Sequence, residues 1–597
     1  MTDALRNFLL SRRGSDGFFE SRLSDSAVST AVACVALEIA DAEKYAGPIA
    51  AAKAWLIAHQ NADGLYGDSP ESPANLTATF LAYVALSRDT EHQAEMQKAQ
   101  SWLLEQFGGD RLQASGFSNR LEVQSPRPEV RSLKPDFASV NRGFLAAYGN
   151  DLTFSVPILA LATATGFFEG SADAWRKMPQ FPFEAVLVPE SFFKYLNLPV
   201  VSYAIPALIC VGLAQLRHRK SGLIKTLRSL AKAKALRVLL AKQPASGGFL
   251  EAAPLTGFCA LCLCTAGLKD HPATHAALRF LLDTQRANGA WPIDRDLRQW
   301  VTSLALTVIV PTLTDDEKQF YRDALKQHQT QTVHPFTRSA PGGWGWTTHS
   351  GSVPDADDTS AVLIALYHLG EPATSTAVQH GVEWLLNLQN RDGGIPTFCR
   401  GWGRLPFDRS CPDISAHAFK AFSCFEQDLP QRLHKRVARA KSRILRYLHK
   451  VQRDDGAYIP LWFGDQDAQS KEAPVYGSAV VLEHLQGIDQ PAAQEILQKT
   501  ATFLLAAQHP TGGWGSLESQ HDLVTVTARC VTALQPYPEA QDAIERAWEF
   551  LQPFAEHPET IPPEPIGLYF AHLWYSEELY GPVFLMNAFL ATKDNAE

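Results

Sequence analysis

WLLNLQNRDGGIPTF, Trp384 to Phe398, decides the fold. Its apolar residues fall at helical spacing up to Leu388, then come Gln389, a polar turn, Gly393-Gly394 and a bulky residue. The phrase recurs as AWLIAHQNADGLYG (Ala54 to Gly67), FLLDTQRANGAWP (Phe280 to Pro292), YLHKVQRDDGAYIPLW (Tyr447 to Trp462) and FLLAAQHPTGGWG (Phe503 to Gly515). Weaker copies are LLAKQPASGGFL (Leu239 to Leu250) and FLLSRRGSDGFFE (Phe8 to Glu20). The Gly suits the left-handed position after a helix C-terminus. The Gln can bond free backbone groups at a neighbouring helix end, with the aromatic stacked beside it. One helix pair cannot bury its apolar face alone, so such pairs stack into a ring or solenoid. The copies are irregularly spaced and strand signals are few. The expectation is an all-α chain built as closed α/α barrels, two of them for this length.

The rest of the composition narrows the class. The chain has 597 residues, 46% hydrophobic, and a formal charge of -9. That apolar fraction builds large cores and excludes a disordered or fibrous chain. The acidic total argues against a nucleic-acid partner. Of nine cysteines, Cys259 and Cys262 form the one C-x-x-C, inside FCALCLC and without a second pair or a nearby His. Buried thiols in a reducing compartment are expected, with no metal. The N-terminus lacks an apolar signal region, and no uninterrupted apolar run reaches spanning length. A cytoplasmic location follows as the expectation.

The chemistry concentrates in PGGWGWTTHSGSVPDADDTSAVLIALYHLG, Pro341 to Gly370. Asp355, Asp357 and Asp358 crowd into four residues ahead of an apolar helix. The simple reading is a capped helix N-terminus. The chemical reading is an acid. Carboxyls this close cannot all ionise cheaply, so one keeps its proton and, in an apolar cavity, could protonate an alkene. Aromatic faces would then stabilise the carbocation. Trp344, Trp346, Phe398, Trp402, Phe407, Trp462, Trp574 and Tyr575 sit beside Gly/Pro turns, where the alternative is core packing. In PDISAHAFKAF, Asp413 and His417 lie four apart on one helix face, as a surface pair or as an Asp-held His that sets another group's protonation.

These motifs resemble the squalene-hopene cyclase family, the class II terpene cyclases that start by protonation. The PGGW and PDADDTSAV stretch resembles its catalytic segment, the Gln-Gly-aromatic phrases its repeat motif, and PDISAHAFKAF its supporting Asp and His. The resemblance runs over nearly the whole chain, to LYFAHLWYSEELYGPVF near the end. It implies an α6/α6 barrel from residues 1–14 with 296–597 and a second α/α barrel from 15–295. It implies a linear polyprene substrate, squalene or related, and no cofactor. Asp357 would be the donor, flanked by Asp355 and Asp358, bonded by His417 and backed by Asp413. Tyr476 matches a tyrosine that re-supplies the proton through water. Trp346, Phe398, Trp300 and Trp462 match cavity aromatics, Tyr575 one near the far end, and Tyr203 stands where the family has Trp. Phe407 and Trp291 are further candidates for the cavity wall.

The far end departs from the pattern. The family's Trp-Asp pair reads Trp300-Val301, LSDSAVSTA lacks a glutamate, and Leu568 and His572 replace aromatics. Initiation therefore carries over, whereas a hopene product does not follow. A shorter polyprene, or a non-catalytic lipid-binding role, is the alternative.

Leu216 to Gln243 holds nine Lys or Arg and no acid, with leucines interleaved at helical spacing. This is the pattern of a basic amphipathic helix on an anionic membrane, or of a solvated repeat helix. The resemblance implies monotopic attachment to one leaflet on the cytoplasmic side, and a homodimer is left open.

Overall fold

The computed structural model describes residues 2–107, 135–148, 152–188, 205–335, 337–400, 407–568 and 573–594. It is helical almost throughout, and the chain divides into two compact units, Met1–Ser24 with Asp296–Glu597, and Asp25–Arg295.

In the first unit, six inner helices follow one another among the described residues. They are Arg298–Ile309, Ala356–His368, Pro412–Phe425, Pro474–His484, Val524–Leu534 and Tyr580–Asp594. Each packs on the next, and the last packs on the first, so the ring closes. Each has an outer partner: Asp315–Gln327, Thr376–Leu388, Gln431–Val451, Pro491–Ala506, Gln541–Glu556 and the N-terminal Thr2–Ser11. This is an α6/α6 barrel. The inner helices are buried around most of their circumference: every residue of Val524–Leu534 is buried. The outer helices bury one stripe only, as Leu433, Val437, Ala440, Ile444 and Leu448 do in Gln431–Val451.

The N-terminal segment runs to Ser24 rather than to residue 14. Leu23 bridges Glu577, and Ser24 exchanges hydrogen bonds with Ser576, so residues 15–24 are stitched to the C-terminal end. That end carries a two-stranded antiparallel ladder, Ile566–Leu568 with Leu573–Tyr575. The second unit repeats the plan with Ala27–Asp41, Leu76–Leu86, Leu152–Ala164, Ile205–His218 and Ala253–Thr265 as a closed inner ring among its described residues.

The repeated phrase is the joint of both barrels. Gln389 Nε2 donates to Gly393 O (2.8 Å) and Ala440 O (3.1 Å). Gln508 does the same to Gly512 O and Ala543 O, Gln452 to Gly456 O and Ile496 O, and Gln285 to Gly289 O and Pro48 O. The expectation of free groups at a helix end is corrected here. The acceptors lie inside the next outer helix, where each carbonyl already takes a helical bond and offers its second lone pair. Gly393 has φ 100. A Cβ there would also stand 2.5 Å from Arg443 O, three residues beyond the carbonyl that Gln389 grips. Conformation and close approach both demand glycine. The aromatic does not merely stack beside the Gln. Trp514 Nε1 donates to Leu504 O, and Trp291 Nε1 to Leu281 O, ten residues back in the preceding helix.

Candidate active site

The acid motif caps an inner helix of the first unit. Asp355 is extended and is the N-cap of Ala356–His368, its Oδ1 accepting from Asp358 N at 2.8 Å. Its N–H donates to Trp344 O, and Ala356 N donates to Thr397 O, which ties the acid turn to the segment carrying Phe398. The capping reading therefore holds for Asp355. Asp355 and Asp358 are each 4% exposed, whereas the Asp357 side chain is 21% exposed. Burial pushes the Asp358 carboxyl well above the ordinary range, and the Asp355 charge adds to this. Burial lifts Asp355 to about 6, less far because Asp358 hydrogen-bonds to it. Of this pair, Asp358 is the one pushed further toward its neutral form. Asp357 is the member presented outward.

His417, on Pro412–Phe425, places Nδ1 2.6 Å from Asp357 Oδ1. The Asp–His contact across two inner helices is as expected. The support of that His is not. Asp413 accepts from Cys411 Sγ at 2.6 Å instead of from His417, and burial raises its carboxyl to about 6. Cys411 precedes the helix as its N-cap residue and reaches the first turn, closer than a ring one turn further on.

The aromatic residues assemble around this centre. The Trp300 ring stands edge-on to His417 (6.1 Å, 77°), and its Nε1 donates to Tyr580 OH at 2.8 Å. The backbone N–H groups of Gln299 and Trp300 donate to Trp346 O. The Trp346 ring meets Phe398 at 6.4 Å, and Phe398 meets Trp462 at 5.3 Å and Phe407 at 6.1 Å. Phe407 and Trp462 close the cluster at 5.6 Å. Tyr476 opens Pro474–His484 and lines a cavity of about 380 Å³ whose other walls include Phe463, Asp465, Glu518 and His521.

Residues 300–539 match the squalene-hopene cyclase C-terminal domain family, and residues 2–115 its N-terminal domain family. The two matches together span more than half of the chain. The chain belongs to the class II terpene cyclase family. Enfumafungin synthase from Hormonema carpetanum is 24% identical over 77% of this chain and 38% of its own length. The chain therefore spans well under half of that fungal relative. Squalene–hopene cyclase from Alicyclobacillus acidocaldarius is 23% identical over 73% of this chain and 70% of its own. The solved ent-copalyl diphosphate synthase from Streptomyces platensis covers 99% of both chains with a TM-score of 0.54 and 17% identity, which shows the shared fold.

For a class II terpene cyclase, four of the positions singled out in the sequence need comment. Trp291 is fully buried in the second unit, its Nε1 held by Leu281 O and its N–H by Thr30 Oγ1, so it is a joint of the repeat and not a cavity wall. Tyr203 lies outside the described residues, as does His572. Tyr575 is in the terminal ladder, within electrostatic reach of Tyr580.

The residues that sequence reasoning missed sit behind the acid. The His484 ring stacks on His417 at 4.6 Å and 19°. Arg529, 5% exposed, pairs with Glu483 (3.0 Å), which also accepts from Asn587 Nδ2. The Arg529 guanidinium lies over the Phe584 ring at 4.3 Å and the Tyr476 ring at 5.4 Å. LEHL and TARC read as ordinary inner-helix sequence. The available signal is a charged residue inside an otherwise apolar run.

Proposed function

We propose that the chain is a cyclase that protonates the terminal alkene of a linear polyprene through Asp357. The Asp357–His417 contact carries this reading. With its proton on Nδ1, His417 donates to Oδ1 and leaves Oδ2 to hold the transferable proton. The alkene π pair takes that proton and forms a C–H bond, leaving a tertiary cation on the other carbon. Successive alkenes attack it, each closing a ring. Loss of a proton or capture of water ends the series. The carboxylate left on Asp357 is stabilised by His417, and the Trp346, Phe398 and Trp462 faces offer π density to the cation. Asp355 and Asp358 hold the helix start that aims Asp357. Tyr476 and its cavity support return of a proton from water.

Squalene fits the resemblance, and the altered far end favours testing shorter polyprenes beside it. Purified protein in detergent is incubated with squalene and with geranylgeranyl and farnesyl substrates, and extracts are analysed by mass spectrometry. Cyclic product from the native chain and none from Asp357→Asn supports the reading. Product from Asp357→Asn overturns it. No product from any substrate favours the non-catalytic lipid-binding alternative.

We further infer peripheral attachment to a membrane through the second unit, with a second copy of the chain as the other partner to test, by sedimentation. The basic stretch is not one helix: it breaks at Arg219–Gly222 and resumes as Leu223–Lys242. There Ala231, Ala235 and Leu239 face the core. Leu223, Leu227 and Leu230 form an outward stripe, 76%, 54% and 74% exposed. Lysines beside outward leucines suit an anionic leaflet. No described helix is long and apolar enough to cross a membrane.

A further inference from the structure

His417 faces a positioning problem. A 2.6 Å contact to Asp357 needs the imidazole plane fixed, and its neighbour on the helix, Asp413, is engaged by Cys411. A ring held at one nitrogen can still swing about that contact. Two other surfaces close on it. The Trp300 edge meets it at 77°, and the His484 face lies parallel to it at 19° with centroids 4.6 Å apart. Trp300 is itself pinned through Nε1 to Tyr580 OH.

We propose that His484 is a positioning residue for the acid: its flat ring, stacked on His417, sets the plane that aims His417 Nδ1 at Asp357. The inference rests on the cyclase reading for its catalytic consequence, though not for its geometry.

His484 sits on the last turn of Pro474–His484, one inner helix beyond His417. The Val480 carbonyl, one turn back, is a polar neighbour of its ring, and what the ring presents to His417 is its face. The charged and titratable groups around it are His417, Arg529 and Lys420, with Glu483 paired to Arg529. Burial, then the positive charge of these neighbours, drives the His484 imidazole well below its ordinary range, so it is neutral at physiological pH. A neutral ring can stack on His417 in either protonation state. A second imidazolium 4.6 Å away would repel it when His417 is charged.

The discriminating pair is His484→Phe and His484→Leu, two apolar side chains that fill the site, of which only Phe is flat. Crystal structures and kinetics are taken on the full chain, using whichever of squalene, geranylgeranyl or farnesyl substrate the native protein turns over. The expectation is that Phe keeps the His417–Asp357 contact and Leu loses it. kcat falls on the order of 100-fold in the Leu variant with KM little changed, because a displaced acid weakens proton delivery and not substrate binding. Phe recovers most of that loss. A His417–Asp357 contact unchanged in the Leu variant overturns the proposal, whatever the rate. If no substrate turns over, the cyclase reading fails on that arm, while the structural arm still decides the positioning role.

Discussion

At the scale of single residues, three neighbouring aspartates do three different jobs, and burial separates them. Asp355 caps, Asp358 is buried where its neutral form is favoured, and Asp357 faces His417. Asp357→Asn is expected to abolish turnover while leaving the thermal midpoint within a few degrees of the native value, because the side chain is partly exposed and the cap belongs to Asp355; differential scanning fluorimetry beside the product assay checks both halves. Asp355→Ala is expected to cost stability instead, about 1 kcal/mol for the lost cap. Glu577 gives a pH signature. Burial lifts its carboxyl to about 8, above roughly 4.3 for an unfolded glutamate. The native state therefore binds more protons than the unfolded state between those values, and stability falls as pH rises through them. Glu577→Gln removes that penalty, so its Tm relative to the native chain should climb from mildly acidic pH to pH 8 and then level off. A flat difference across that range would remove Glu577 as the cause.

At the scale of elements, the joint between helix pairs is legible in the amino-acid order alone. Spacing and turn chemistry place the Gln, the Gly and the aromatic at a helix end, and they stand there in both units. Their partners are not legible, because sequence spacing cannot say which outer helix passes beneath a turn. Gln389 donates to Ala440, 51 residues on. Gln389→Ala removes two such bonds and the one that Gln389 Oε1 accepts from Arg443 Nη1, each worth about 1 kcal/mol. Gly393→Ala puts a Cβ against Arg443 O in a left-handed turn, a strain of about 1–3 kcal/mol. Both should lower the urea midpoint, by comparable amounts. The Asp413–His417 pairing fails at this scale. Helical spacing puts both on one face, but Cys411 lies nearer in space to the carboxyl and occupies it.

At the scale of the whole molecule, the charge pattern outweighs the net charge of -9. The basic segment holds Ala231 and Ala235 inward and Leu223, Leu227 and Leu230 outward, and Arg228 is drawn inward to Glu184. Replacing the three leucines by Ser is expected to reduce co-sedimentation with vesicles of anionic and zwitterionic phospholipid, at unchanged activity on detergent-dispersed substrate. Unchanged sedimentation would leave the membrane inference without support.

The sequence by itself determined the all-α class and the repeat joint, because helical period and turn chemistry are local properties, whereas the pairing of Asp357 with His417 entered only as what the family resemblance implies. Only the tertiary structure decided that six inner helices close a ring with the N-terminal helix as the last outer member. It also decided that Trp291 is a joint, that Cys411 occupies Asp413, and that His484 and the Arg529–Glu483 pair stand behind the acid. Most of those contacts join residues tens to hundreds of positions apart. Burial and proximity, which set each carboxyl's proton and each ring's neighbour, exist only after the helices have packed.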